Sequence, residues 1–357
     1  MKHLLEDSHG IALVCVIFIV SILLTLTGAS LLFSGLDLKS TGNFKTGTMA
    51  LQVADSGVQH ALAVIPAGPT FSYSSSTQVI PSTAYPTMSG FSYSVTAVNT
   101  AANTEAILTS TALGPNGTKK VVVAYVGRMG LGAIYLPGAA TNYETEFEGN
   151  AFAISGNDTN VDGSAGPARA VSGIATTDQA LVTSVINSLT SNQANNITGR
   201  GGTPSVRVVT SLPQTVSQIA DSYLSNPHTD LPGGHYNGNG TWGTDASPEI
   251  TRITGDAEIN GTISGAGVLI VDGELEILGN FTFHGLVIVR GHELEMSGNA
   301  KIYGMVMMAE PTSEEQEVEV KGNAGIYYSS QALSWVNASW PEVLPIPPRL
   351  LAWQEKF

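Results

Sequence analysis

The run GIALVCVIFIVSILLTLTGASLLFSGL, residues 10–36, holds 27 consecutive positions without a formally charged side chain. A helix rises about 1.5 Å per residue, so roughly twenty apolar residues cross the hydrocarbon core of a bilayer. The stretch therefore reads as a membrane helix over residues 11–36, preceded by a short leader, residues 1–10. Everything after it lies on one side of the membrane. A cleaved secretory signal is the competing reading, because Thr27-Gly28-Ala29 offers a small-residue site. Against it, the apolar run is longer than a signal core, and Glu6 and Asp7 stand where basic residues belong. Lys2 lies before the span and Lys39 and Lys45 after it, so the positive-inside rule is nearly balanced.

Inside the span, Ser21, Thr25 and Ala29 recur at every fourth position with Gly28 beside them. Small residues so spaced let a second helix approach closely, although such a stripe also arises by chance in apolar helices. Beyond the span, Leu51, Ala54, Val58, Ala61, Leu62 and Ile65 keep a helical period until Pro66. Residues 37–65 thus read as an amphipathic continuation of the same helix. Gly35, Gly42 and Gly47 are expected to weaken or bend it, at about 1 kcal/mol each relative to alanine.

Residues 66–89, rich in Ser, Thr and Pro, read as loop. Three strands are predicted next, over 91–98, 105–113 and 119–127, with Pro115-Asn116-Gly117 as a hairpin turn. Residues 66–130 then form a small antiparallel sheet domain able to cover the apolar face of the helix.

The residues flanking the span carry a resemblance. Gly10-Ile11-Ala12-Leu13-Val14 opening an apolar helix, then Gly42-Asn43, then Ala50-Leu51-Gln52-Val53-Ala54-Asp55-Ser56-Gly57, resemble the N-terminal region of PilX-type minor pilins of type IV pilus systems. The match covers about residues 8–65. It implies that a prepilin peptidase cuts between Gly10 and Ile11 and that the apolar segment packs with other pilins and pilus assembly proteins in a fibre core. It also implies a single-pass protein of the bacterial inner membrane, with its C-terminal domains outside the cytoplasm and on toward an extracellular pilus. Where major pilins carry glutamate at the fifth mature position, this chain has Cys15, and the acid of the second motif is Asp55. The missing glutamate points to a minor or tip subunit. The leader also lacks the basic residues common in that family.

The chain has 357 residues and a net charge of −14 with 15 Lys plus Arg, so a nucleic-acid partner is not expected. Its one cysteine lies in the membrane span, which excludes an intrachain disulfide. Residues 131–245 read as a mixed loop and helix region. Asp178 and Pro213 are expected to start helices, and 226–246 reads as linker.

Residues 246–335 hold a repeat. Gly255-Asp256-Ala257-Glu258-Ile259-Asn260-Gly261 is matched by segments starting at Gly279, Gly298 and Gly322. Apolar strands over 268–271, 286–289 and 305–308 lie between them, which predicts coils of a parallel β-solenoid. In register, Glu274 and Glu276, Glu293 and Glu295, and Glu317 and Glu319 occupy one position in three coils, with Leu275, Leu294 and Val318 inward. The glutamates would form two outward ladders, read as a solvated face that opposes aggregation or as a binding face for cations or a basic partner. The 336–357 tail, with Trp and Pro, is expected to cap the last coil.

Asp158-Thr159-Asn160-Val161-Asp162-Gly163 has the start of a calcium loop, with oxygen ligands at Asp158, Asn160 and Asp162. Arg169 stands where the closing glutamate belongs, and an Asn/Asp/Gly turn explains the same residues. No other cofactor is indicated. H-E-x-x-H, G-x-S-x-G, P-loop and C-x-x-C motifs are absent from the sequence. The fold class expected is α+β: a long N-terminal membrane helix, a small antiparallel pilin-like sheet and a C-terminal parallel β-solenoid. The function expected is a non-catalytic minor pilin-like subunit at or near a fibre tip. The alternatives are a type II secretion pseudopilin, a membrane-anchored adhesin, or, from another class, a β-helix enzyme acting on polysaccharide.

Overall fold

A computed structural model describes residues 7–128, 130–139, 141, 143–311 and 316–356, with side chains described from residue 13. Residues 1–6 of the expected leader lie outside the described residues. Helix α1, Asp7–Val64, runs for 58 residues, about 87 Å at the standard rise, and includes Gly35, Gly42 and Gly47. Its two halves differ in surroundings. Phe33 and Leu38 are 68% and 73% exposed, whereas Val53, Ala54 and Ala61 are fully buried. Among the described residues this is the one helix long and apolar enough to cross a membrane.

The buried half packs on an antiparallel sheet. Strands β1 (Thr77–Ala84), β2 (Ser92–Asn99), β3 (Glu105–Leu113) and β4 (Lys119–Gly127) follow one another in space as in sequence. Their inward residues Val95, Ala97, Leu108, Val122, Ala124 and Val126 meet Ala50, Val53, Ala54, Val58 and Ala61 of the helix. The β3–β4 turn places Asn116 and Gly117 at φ 56° and 75°, the left-handed region that Asn and Gly tolerate best. Gly57 brings the helix down onto the sheet, since a Cβ there would collide with Ser110 Oγ and come within 2.9 Å of the Tyr93 ring. Strand β1 lies inside the expected 66–89 loop. It is an edge strand burying only Ile80, so it has no alternation to read, and an edge tolerates Pro81.

Beyond Gly127 the chain builds a large curled parallel sheet of 16 strands among the described residues. Residues 131–245, expected as loop and helix, supply its first strands. These are β5 (Gly132–Leu136), β6 (Tyr143–Glu148), β7 (Ala153–Ser155), β8 (Ser172–Thr176), β9 (Ile197–Thr198) and β10 (Val206–Val208). Helix α2 (Gln179–Ser188), capped by Asp178, and the short α3 (Ser191–Ala194) come between. Helix α4 (Val216–Leu224) starts three residues after the expected Pro213, because Thr215 and Gln218 form its capping box. The expected 226–246 linker contains β11 (Thr229–Tyr236) and β12 (Asn239–Trp242), which pair with β13 (Glu249–Ile259) and β14 (Thr262–Val271). The chain continues through β15 (Leu275–Ile277), β16 (Asn280–Val289), β17 (Glu293–Met296), β18 (Lys301–Met308), β19 (Gln316–Lys321) and β20 (Gly325–Tyr328). Helix α5 (Ser330–Ser339) and β21 (Arg349–Lys356) end it.

These strands stack in rows. In one, β14, β16 and β18 align Val268 with Leu286 and Met305. In another, β13, β15, β17 and β19 align Ala257 with Leu275, Leu294 and Val318. The segments starting at Gly279, Gly298 and Gly322 are in register as expected, but the one starting at Gly255 is not. Its strand residues 257–259 pair with 275–277, and the true partner of the Gly279 segment begins at Gly261. Both rows open on glycine and then alternate, so their sequences are interchangeable by eye. The row of Gly267, Gly285 and Gly304, at φ 122°, 143° and 149°, shows what the stack demands. A Cβ at Gly304 would overlap the Gly285 carbonyl oxygen, and one at Gly285 that of Gly267.

The chain also doubles back on itself. Strands β18, β19 and β20, late in sequence, pair with β5, β6 and β7 from its first part. Helix α5 packs on β14, β16 and β18, α4 lies at the far end of the same strands, where Val216 N donates to Glu310 and Asp221 pairs with Arg290, and every residue of the apolar 268–271, 286–289 and 305–308 runs is buried. The 336–357 tail divides: Val336, Leu344 and Ile346 are buried in the core of the parallel stack, with Trp340 and Val343 packed against it, whereas the end of the tail leaves the stack. Its β21 returns to the antiparallel sheet as a fifth strand beside β4, fastened by the Lys120–Glu355 ion pair.

Arg128, at the exit from β4, ties these parts together. Its buried guanidinium donates to the carbonyls of Gly68 (2.6 Å), Ile346 (2.9 Å) and Pro66, and lies 4.3 Å over the Phe71 ring. Burial pulls its pKa down to about 10, which leaves it charged at neutral pH.

The helix–sheet contact makes a prediction. Gly57→Ala should lower unfolding stability by about 1–3 kcal/mol through overpacking. Gly28→Ala, which meets nothing within 4 Å, should be neutral or stabilising by up to about 1 kcal/mol. Thermal unfolding of the two variants in detergent compares them.

Candidate functional site

The glutamates singled out in the sequence stand on one face of the parallel stack. Glu276, Glu295 and Glu319 are opposite one another, and Glu293 faces Glu317. Glu274 precedes β15, and its backbone carbonyl accepts from Ala257 N. The rows are longer than expected. Glu258 joins below Glu276, with His235 below it, and Glu144 and Glu146 of β6 oppose Glu317 and Glu319. The run Tyr143-Glu144-Thr145-Glu146-Phe147-Glu148 has the same alternation as the 274–277 segment, a signal by which these residues could have been found.

Stacked at roughly 4.8 Å per strand, like charges oppose folding unless they are shared with protons or cations. Glu258, Glu274, Glu276, Glu293, Glu295 and Glu317 are half-buried and Glu319 is buried, because each rung shields its neighbours, while Glu144 and Glu146 are exposed. Burial first, then the charges of Glu295, Glu258 and Glu274, holds the Glu276 carboxyl above the usual range. Burial followed by Glu274 and Glu317 does the same at Glu293, and burial followed by Glu144 and Glu146 at Glu317. Lys321 Nζ answers part of this repulsion, at 3.0 Å from Glu295 and 2.9 Å from Glu319. These hydrogen bonds hold its ammonium pKa above the ordinary lysine value. His235 Nδ1 reaches Glu258 at 2.6 Å and His292 Nε2 reaches Glu274 at 2.8 Å. Among the described residues, Glu146, Glu148 and Glu319 bring carboxylate oxygens within 4.8 Å of one another. Lys321 is opposite Glu148 in the ladder and bonded to Glu319, so a cation already stands there.

The calcium-like loop is built differently from a cation cage. Asp158 is buried, and its carboxylate accepts from Ala168 N (2.8 Å), Ser330 N (2.7 Å) and Ser330 Oγ (2.8 Å). It thereby fastens the loop to the start of α5. Asn160 Nδ2 donates to Ser164 Oγ and the Ala165 carbonyl, while Asp162 Oδ1 accepts from Ser164 N and Oγ. Donors occupy both carboxylate oxygens of Asp158 and Oδ1 of Asp162, so in this structure the three side chains act as turn stabilisers.

The small-residue stripe of α1 is open. Ser21 Oγ and Thr25 Oγ1 bond to the helix's own carbonyls at Ile17 and Ile22, and no atom outside the helix lies within 4 Å of a Cβ built at Gly28. Ala29 is on the same exposed half of the helix. The Gly10–Ile11 bond lies within the helix backbone.

Two predictions follow from these geometries. Glu276→Gln removes one charge whose folded-state pKa is raised. The folded wild type then binds more protons than the unfolded chain, so its stability falls as pH rises through that raised value. The variant should be more stable at pH 7 by a few tenths of a kcal/mol, an advantage that disappears below about pH 4. Melting temperatures across pH compare the two. For the loop, Asp158→Ala strands buried donors and should cost about 2–4 kcal/mol. Calcium addition followed by chelation should leave the wild-type melting temperature unchanged.

No protein-family model matches the chain, and no curated protein sequence matches it. Among solved structures, the chain is similar to the competence-associated pilin ComZ from Thermus thermophilus, at 12% identity over 87% of this chain and 98% of that one, with a TM-score of 0.20. So low a score does not establish a shared fold, and the functional reading rests on the residues of this chain.

Proposed function

We propose that this protein is a membrane-inserted, non-catalytic minor pilin-like subunit that joins other pilins through α1 and carries its parallel stack outward near a fibre tip. The observation that carries the reading is the division of α1. One half is clamped by the antiparallel sheet, and the other presents an apolar surface that no part of the described chain covers. Such a surface requires a bilayer, and after extraction from it a bundle of similar helices. The residues 8–65 that resemble PilX-type minor pilins include Ala54, buried against the sheet, and Gly57, where a Cβ would collide with Ser110 Oγ. We read the stacked rows as coils of a β-solenoid, the leader as a prepilin peptidase substrate, and the compartment as the bacterial inner membrane with the sheets outside the cytoplasm.

Co-expression with a prepilin peptidase should leave Ile11 as the N-terminal residue, read by intact mass or N-terminal sequencing. A mature start at Ser30 would mean release by signal peptidase and would end this reading. Gly28→Leu should abolish co-purification with other pilins while leaving the melting temperature unchanged. Co-purification with secretion-system components in place of pilus components would reassign the subunit to a type II secretion pseudopilus.

A further inference from the structure

The chain holds seven arginines against a net charge of −14, and they are not scattered. Arg252 and Arg290 share Asp272 within the parallel sheet. The other five, Arg128, Arg169, Arg200, Arg207 and Arg349, line one cleft of about 630 Å³ at the seam between the two sheets. The antiparallel sheet contributes Arg128 at the end of β4 and Arg349 at the start of β21. The parallel sheet contributes Arg169 before β8, Arg200 after β9 and Arg207 within β10. One carboxylate, Glu105, is in the lining and pairs with Arg169. Five guanidiniums against one carboxylate leave a formal surplus of four positive charges.

We propose that this seam cleft binds a small multivalent oxyanion, a molecule bearing two or more phosphate or carboxylate groups. Arg128 has a structural task, holding three carbonyls, yet its buried Nε has no acceptor among the described residues. Arg169, Arg200, Arg207 and Arg349 are exposed at the cleft. Like charges gathered in one cavity repel each other and are retained at a cost to folding that a bound anion removes. Guanidinium forks match the paired oxygens of carboxylate and phosphate. The volume suits a small ligand, and Leu131, Val171, Val208 and Leu351 supply apolar wall between the charges.

The test uses the full chain in zwitterionic detergent at low salt, titrated calorimetrically with tripolyphosphate and with citrate. Saturable binding of either is expected, and the tighter of the two assigns phosphate or carboxylate as the recognised group. Arg207→Gln with Arg349→Gln should weaken it at least about tenfold without lowering the melting temperature, and the corresponding lysine pair should recover part of the loss. Arg290→Gln, outside the cleft, should leave affinity unchanged. Three results would overturn the proposal: no saturable binding of either anion, equal weakening by Arg290→Gln, or binding of a single-stranded oligonucleotide alone, which would indicate a polymer crossing the seam.

Discussion

A guanidinium taken out of water must have its hydration replaced, and Arg128 does this with three backbone carbonyls from segments far apart in the chain. Pro66 and Gly68 follow the end of α1, and Ile346 precedes β21. Arg128 itself stands where the chain leaves the antiparallel sheet for the parallel one. One charged group therefore sets the end of the long helix, the return of the C-terminal strand and the junction of the two sheets. Losing a partner from such a site leaves polar groups buried without compensation, which is why the arrangement is locked and not merely favourable. The arginine-lined cleft exists because this junction brings the edges of both sheets together.

The parallel stack obeys a second constraint, close approach of backbones. At Gly267, Gly285 and Gly304 successive strands meet where no side chain fits, so glycine recurs in register. The apolar rows beside them are buried on both faces, while the glutamate rows are left half-solvated. That face carries unfavourable charge, eased by Lys321, His235 and His292 and by upward-shifted carboxyl pKa values. Pairing of β18, β19 and β20 with β5, β6 and β7 buries strand edges that an open stack would expose.

The helix α1 joins two environments in one element. Its sheet-facing half follows ordinary amphipathic packing, with Gly57 permitting a short helix–sheet distance. Its other half has apolar side chains all round, the pattern of a helix surrounded by lipid or by other helices.

Features that depend on neighbours along the chain were legible from residues alone. The apolar span, the strands over 105–113 and 119–127 with their Asn-Gly turn, the Asp178 cap and the alignment of the Gly279, Gly298 and Gly322 segments all follow from local period and turn chemistry. Strand β1 was not legible, because a Ser/Thr/Pro edge strand with one buried residue has no pattern. Strands β11 and β12 resembled linker, because Gly233, Gly234, Asn239 and Gly240, residues typical of loops, here lie within strands that pair with β13 and β14. The register of the Gly255 segment, the return of β21, the inclusion of Glu144 and Glu146 in the acidic rows and the gathering of five arginines were decided only by tertiary structure. Each depends on which distant segments become neighbours. Composition sums charge over the whole chain, and period records only nearby residues, so neither contains that pairing.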